Sequence, residues 1–115
     1  MGSERRISNR RKFGYFMPVL DNTTNEKIGY LADISSQGFK LENRKRLAVN
    51  SVYQLRLELT REISNKPFIV FFAKVAWSEP DPYNLLEYVH GFQIVNISLD
   101  EQGVIDRLVA KYGVA

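Results

Sequence analysis

Residues 28–41 read IGYLADISSQGFKL, and this stretch decides the fold because strand-like runs flank a short polar turn. The turn occupies residues 33–38 and contains Asp33, Ser35 and Gly38. Carboxylates and hydroxyls bond nearby backbone groups in turns, and glycine permits a positive φ. The segment therefore predicts a tight turn between a strand at 28–34 and a strand at 38–41.

The chain on both sides of this segment is also divided into short strands by turn residues. We predict strands at 16–20, 52–59, 68–78 and 87–97, with an antiparallel first pair joined by polar residues 21–25. Residues 53–59 alternate between apolar and polar side chains, as in a strand with one solvated face. The run 68–77 is apolar on both faces, which indicates a central strand. Proline supplies no ladder donor, so Pro67 and residues 79–82 are predicted to bound that strand, the latter as a long turn.

A helix is predicted at the C-terminus, over residues 99–112. Ser98 and Glu101 have the spacing of a helix capping box. One apolar stripe and a terminating Gly113 follow; the stripe contains Val104, Ile105, Leu108, Val109 and Tyr112. The helix should pack against the sheet or cap its open end. We therefore expect an all-β fold, a six-stranded antiparallel β-barrel with one C-terminal α-helix, because closure removes exposed strand edges.

Length and composition indicate one folded domain in the cytoplasm. The chain has 115 residues, of which 44% are hydrophobic and 25% charged, as in ordinary soluble proteins. It contains no cysteine, which excludes disulfides and thiolate metal sites and fits a reducing compartment. The longest apolar run, residues 68–73, is too short for a membrane span.

The positive charge is concentrated at the N-terminus. Residues 4–12 hold five basic side chains and one acidic side chain, whereas the other charged residues are 11 basic and 12 acidic. We therefore divide the chain into an arginine-rich arm, residues 1–15, and a barrel domain, residues 16–115. Such a concentrated charge favours a local anion-binding site over a general nucleic-acid-binding surface.

No catalytic or metal-binding constellation is present in the sequence, so we expect no enzyme activity. His90 is the only histidine, and no motif places a serine or carboxylate beside it, which favours a structural or surface role. The carboxylates at 79 and 81 flank prolines, and those at 100 and 101 belong to a helix start. Neither pair resembles a general acid and base, and no glycine-rich phosphate loop appears.

Together, the turn and the arm resemble the PilZ family, bacterial receptors for cyclic di-GMP. The family joins an R-x-x-x-R segment to a later D/N-x-S-x-x-G turn on a six-stranded split-type barrel, and Asp33, Ser35 and Gly38 match the second motif. The resemblance extends to residues 75–77 and 91–98. It implies cyclic di-GMP as the ligand, with no other cofactor. The implied ligand-binding residues are Arg6, Arg10, Arg11, Asp33, Ser35 and Gly38. In these roles the arginines clamp phosphate and guanine, Asp33 reads a guanine edge, Ser35 touches phosphate and Gly38 shapes the turn.

The arginine motif allows two registers. By letters, Arg6 and Arg10 satisfy R-x-x-x-R, but the family places its second arginine just before the first strand, which selects Arg11 and Tyr15. Tyrosine can stack on a base but cannot form bidentate contacts with phosphate. Either Arg6 and Arg10 act through a longer loop, or ligand binding is weakened or lost.

The resemblance thus implies a receptor or adaptor that orders its arm on the nucleotide and signals to a partner protein. The alternative is a degenerate relative that binds no nucleotide and acts as a protein-interaction module. A third class is a barrel that binds single-stranded nucleic acid. It is disfavoured because the net charge of the chain outside the arm is near zero.

Overall fold

The structure is a computed structural model that describes residues 17–112. It contains six strands and one helix in chain order. The strands are β1 (Pro18–Asp21), β2 (Lys27–Ile34), β3 (Gly38–Asn43), β4 (Val52–Glu58), β5 (Phe68–Asp81) and β6 (Asn84–Asn96), and the helix is α1 (Leu99–Tyr112).

Antiparallel pairing closes these strands into a barrel in the order β1-β2-β3-β6-β5-β4. Closure is made by β1, which pairs with β2 on one side and with β4 on the other, where Val19 lies opposite Leu57. The predicted barrel with one C-terminal helix is confirmed. The predicted antiparallel pairing of the first two strands is confirmed as well.

The barrel interior is filled by the inward residues of each strand. Leu41, Leu55, Ile69 and Val75 are each 0% exposed. On β4 the inward leucines alternate with polar residues, as the period-2 pattern predicts. Strand β5 lies between β4 and β6, which confirms its central position.

Helix α1 closes the end of the barrel that carries the β2–β3 turn. Its residues Val104, Ile105 and Leu108 are buried in the core. The Gln102 side chain donates to the Ser36 carbonyl at 3.1 Å, and Arg107 donates to the Ile63 carbonyl at 2.9 Å. Of the two positions expected for the helix, the structure therefore supports the cap.

The prediction of a long turn at residues 79–82 is wrong. Strand β5 continues through Pro80 to Asp81, and β6 already begins at Asn84. The pairing of β4 with β5 starts at Val52 opposite Lys74, so β5 has no β4 partner beyond Lys74. Because an unpaired side needs no amide donor, Pro80 is tolerated there.

His90 lies in the core, where its side chain is 0% exposed. Its Nε2 atom accepts a hydrogen bond of 3.1 Å from the Leu47 amide. Burial lowers the pKa of His90 below its usual value; the Leu41 backbone acts in the opposite direction, and the charge of Arg46 lowers the pKa further. His90 is thus a neutral structural residue that ties the β3–β4 connection to β6.

Candidate ligand site at the β2–β3 turn

The β2–β3 turn is held by hydrogen bonds among its own residues. The Ser35 amide donates to the Gly38 carbonyl at 2.8 Å, and the Ser35 hydroxyl reaches the same oxygen at 3.2 Å. The Asp33 carboxylate accepts a bond of 2.8 Å from the Ile34 amide through Oδ1. One carboxylate oxygen is therefore fixed by the backbone, which orients the second oxygen.

Gly38 is required for a reason different from the one the sequence indicates. Its φ lies outside the left-handed region, so the expected positive φ is not found. Instead, a Cβ atom at this position would lie 2.3 Å from the backbone oxygen of Phe92 on β6. The glycine permits close approach of β3 and β6, and it keeps the turn pressed against the barrel wall.

Beside the turn lies a shallow cavity of about 310 Å³, which we call the turn cavity. Asp33, Ser35 and Gly38 all line it, so the structure brings these three predicted residues together. The facing wall is formed by Lys40, Trp77 and Gln93. This wall was not predicted as part of the site.

The facing wall is built by register across three strands. On β6, Gly91 lies opposite Lys40 of β3 and opposite Trp77 of β5. A Cβ atom on Gly91 would lie 2.1 Å from Nε1 of Trp77, so the indole covers the space left by the absent side chain. In the sequence, Trp77 and Gly91 each stand in a stretch that resembles the family. Their contact could not be predicted from the sequence, because it depends on how β5 pairs with β6.

The described part of the chain begins at Met17, close to this cavity. Met17 is 2% exposed, and its carbonyl accepts a bond of 2.9 Å from the Leu31 amide, two residues before Asp33. Because β1 and β2 are antiparallel, the N-terminal end of β1 points towards the Asp33 end of β2. The remaining predicted residues, Arg6, Arg10 and Arg11, lie outside the described residues, as does Tyr15.

A larger cavity of about 1090 Å³ opens at the other end of the barrel. Its walls include Lys27, Tyr30, Tyr53 and Tyr83. None of the predicted ligand residues within the described range lines it, so size alone does not select the site. The motif residues Asp33, Ser35 and Gly38 instead line the smaller turn cavity, which makes it the candidate site.

Metal-binding groups and membrane-spanning helices are both lacking within residues 17–112. That part of the chain contains no group of three or more histidine, cysteine, aspartate or glutamate side chains placed to hold a metal ion. Nor does it contain a helix long and apolar enough to cross a membrane.

The closed barrel and its helical cap define a small β-barrel domain, and the turn cavity on its outer wall is the candidate site. The family model of the PilZ domain matches residues 4–111. The chain therefore belongs to the PilZ family, a family of cyclic di-GMP receptors.

Among solved structures, the chain is similar to MrkH of K. pneumonia in its apo state. The TM-score is 0.66 and the sequence identity is 19%, a likeness that shows the fold. The match covers 84% of this chain and 46% of MrkH, so this chain spans less than half the length of that protein. Comparison with curated proteins gave no match.

Proposed function

We propose that this domain binds cyclic di-GMP in the turn cavity, between the barrel wall and the arginine-rich arm. One observation carries the proposal: Asp33, Ser35 and Gly38 line one cavity whose rim lies beside the point where the arm joins β1. Arg11 is six residues before Met17, a separation that an extended chain spans with about 20 Å of reach. The arginines can therefore reach a ligand bound there.

Asp33 reads the guanine base. A carboxylate accepts hydrogen bonds from the N–H groups on the Watson–Crick edge of guanine, and its two oxygens together can accept several bonds at once. The Ile34 amide holds Oδ1 of Asp33 at 2.8 Å and so limits rotation of the carboxylate. A preoriented acceptor loses less side-chain freedom on binding, which favours affinity.

Trp77 and Lys40 supply contacts that the motif does not contain. The indole of Trp77 lies against Gly91 in the facing wall and offers an apolar face on which a purine stacks. Lys40 is exposed on the same wall and provides a point charge for phosphate. Ser35 adds a hydroxyl that can exchange its bond with the Gly38 carbonyl for one with a phosphate oxygen.

The arm completes the site from the opposite side of the ligand. Guanidinium groups bind phosphate and the guanine O6/N7 edge with paired hydrogen bonds. A nucleotide held by both parts therefore fixes the arm against the barrel and forms a surface that a partner protein recognises. In this account the nucleotide is a switch and not a substrate.

Calorimetry with cyclic di-GMP tests this function. Titration of the unmodified protein should give a heat signal that saturates. Asp33→Ala should raise the Kd about tenfold or more, equivalent to ~1.4 kcal/mol. Arg44→Ala, at the other end of the barrel, is the matched control and should bind normally. Absence of heat with the unmodified protein at high micromolar ligand would sink the proposal and leave the protein-interaction module as the function.

The same measurement decides the register of the arm. If Arg6 and Arg10 form the clamp, Arg10→Ala weakens binding strongly and Tyr15→Ala does not. If the family register applies, Arg11→Ala and Tyr15→Ala cause the larger losses. Equal, small effects from Arg10→Ala, Arg11→Ala and Tyr15→Ala would contradict an arm-based clamp.

A further inference from the structure

The start of β6, directly after the β5–β6 turn, carries the most exposed pair of adjacent apolar side chains in the described part of the chain. We call residues 82–86 the hairpin tip. Leu85 is 89% exposed and Leu86 72% exposed, and Tyr83 beside them is 48% exposed. Scattered single leucines are ordinary on surfaces, but a contiguous group of this kind marks an interaction site.

Both leucines are exposed because the strand register shifts there. Pro80 lies opposite Tyr88, whereas Asp81 lies opposite Asn84, so the register of β6 against β5 shifts across Leu85 and Leu86. A shift of this kind forms a bulge that redirects side chains. The usual alternation, which would turn one of the two leucines towards the barrel, is therefore interrupted.

The hairpin tip also projects beyond the neighbouring strands. The ladder of β5 with β4 ends at Lys74, and the ladder of β6 with β3 ends at Tyr88. The tip therefore lies beyond the ladders that β5 and β6 form with their other neighbours, where its leucines are open to contact with another surface.

Three consecutive basic residues lie beside the tip. Asn43, the last residue of β3, pairs with Tyr88, and the exposed run Arg44-Lys45-Arg46 follows it. The guanidinium carbon of Arg46 lies 6.0 Å from the centre of the Tyr88 ring. Arg44 and Lys45 line the larger cavity together with Tyr83, which places these two charges at the same end of the barrel as the hairpin tip.

We propose that the hairpin tip and the basic run dock together on an anionic lipid surface. Leu85 and Leu86 enter the boundary between headgroups and acyl chains, and Tyr83 occupies the headgroup level, where an amphipathic ring is favoured. The run 44–46 contacts lipid phosphates, since basic residues beside an apolar anchor strengthen binding to anionic membranes. Four acidic residues at the same end, Asp21, Glu26, Glu42 and Glu87, reduce its net charge, so the apolar contact has to supply a large part of the binding.

This surface lies away from the turn cavity. The β2–β3 turn and helix α1 share one end of the barrel, whereas the hairpin tip projects from the other. A domain docked through its tip therefore keeps the nucleotide site accessible. The lipid proposal stands independently of nucleotide binding.

Sedimentation with lipid vesicles tests the proposal. The protein should sediment with vesicles of phosphatidylcholine and phosphatidylglycerol but not with phosphatidylcholine alone, and added salt should weaken the binding. Because the arm also carries positive charge, the decisive variant keeps every charge: Leu85→Ser with Leu86→Ser should reduce binding by roughly tenfold. Replacing residues 44–46 by glutamine should reduce it as well.

Leu99→Ser is the matched control, because Leu99 is 92% exposed but lies at the start of α1. It should bind vesicles as the unmodified protein does. Equal binding by the double serine variant would overturn the proposal, and so would failure of the unmodified protein to bind anionic vesicles. Calorimetry with cyclic di-GMP should be unchanged in the double variant, which separates this test from that of the nucleotide site.

Discussion

Gly38 is needed in the family motif because β3 and β6 pack closely at this position. The Phe92 carbonyl occupies the space that a side chain at residue 38 would need. Gly38→Ala should therefore lower the free energy of unfolding by about 2 kcal/mol, the cost of forcing extra volume into a packed site. Urea unfolding measures this change.

Gly103→Ala provides the control for Gly38. A Cβ atom at residue 103, within helix α1, meets no atom within 4 Å. Alanine there should stabilise the protein by about 0.5–1 kcal/mol through the higher helix propensity of alanine. Equal stability of Gly38→Ala and the unmodified protein would refute the packing argument.

His90 makes stability depend on pH in a predictable direction. Burial lowers its pKa in the folded state, so the unfolded chain binds the proton more readily. The contribution of His90 to stability is complete above the unfolded pKa of about 6.5 and is lost as the pH falls through the folded pKa. Unfolding midpoints at about pH 7.5 and about pH 5.5 should show lower stability at the acidic value.

A glutamine at residue 90 tests the assignment. It can still accept the bond from the Leu47 amide but cannot titrate. His90→Gln should flatten the decrease in stability between the two pH values. The same decrease in this variant would show that other groups cause it.

Local residues of the site were predictable, and distant ones were not. Asp33, Ser35 and Gly38 stand in one short segment, so their motif can be read directly from the sequence. Lys40 and Trp77 face that turn only because β3, β6 and β5 pair in one register around Gly91. That register arises from tertiary pairing and leaves no local signal.

Among the elements, helix α1 follows its sequence signal closely. The Glu101 amide donates to the Ser98 hydroxyl oxygen at 3.2 Å, and that hydroxyl donates to Oε1 of Glu101 at 2.9 Å. Oε2 of Glu101 accepts a bond of 3.1 Å from the Val70 amide on β5. The capping residues therefore also attach the helix to the barrel, a contact that the capping box alone did not predict.

Removing the cap should destabilise the domain moderately. Ser98→Ala should lower the free energy of unfolding by about 1 kcal/mol, because the Glu101 amide loses its partner at the helix start. Ser98→Thr keeps a hydroxyl and should lose less. Chemical denaturation of both variants checks the order, and an equal loss in the two would contradict the capping role.

The prolines of the β5–β6 hairpin show where element prediction fails. Pro80 suggested a turn because a central strand needs every amide, but β5 has no β4 partner beyond Lys74. Whether a strand is central or lies at an edge can change along its length. The sequence of the strand alone does not contain that information.

For the whole molecule, the number of strands and their punctuation predicted a closed barrel with a C-terminal helix. The order β1-β2-β3-β6-β5-β4 was not predicted, because it depends on pairings between segments distant in the chain. This order brings β3, β5 and β6 together behind the β2–β3 turn. It therefore builds the facing wall of the turn cavity.

The direct test of the account uses Trp77, the only tryptophan in the chain, which lines the turn cavity. Titration with cyclic di-GMP should produce a saturable change in tryptophan fluorescence, because a guanine stacked near the indole alters its environment. Asp33→Ala should shift the titration to higher ligand concentration, whereas Glu26→Ala at the other end should leave it unchanged. Calorimetric binding with no change in Trp77 fluorescence would contradict the placement of the nucleotide in the turn cavity.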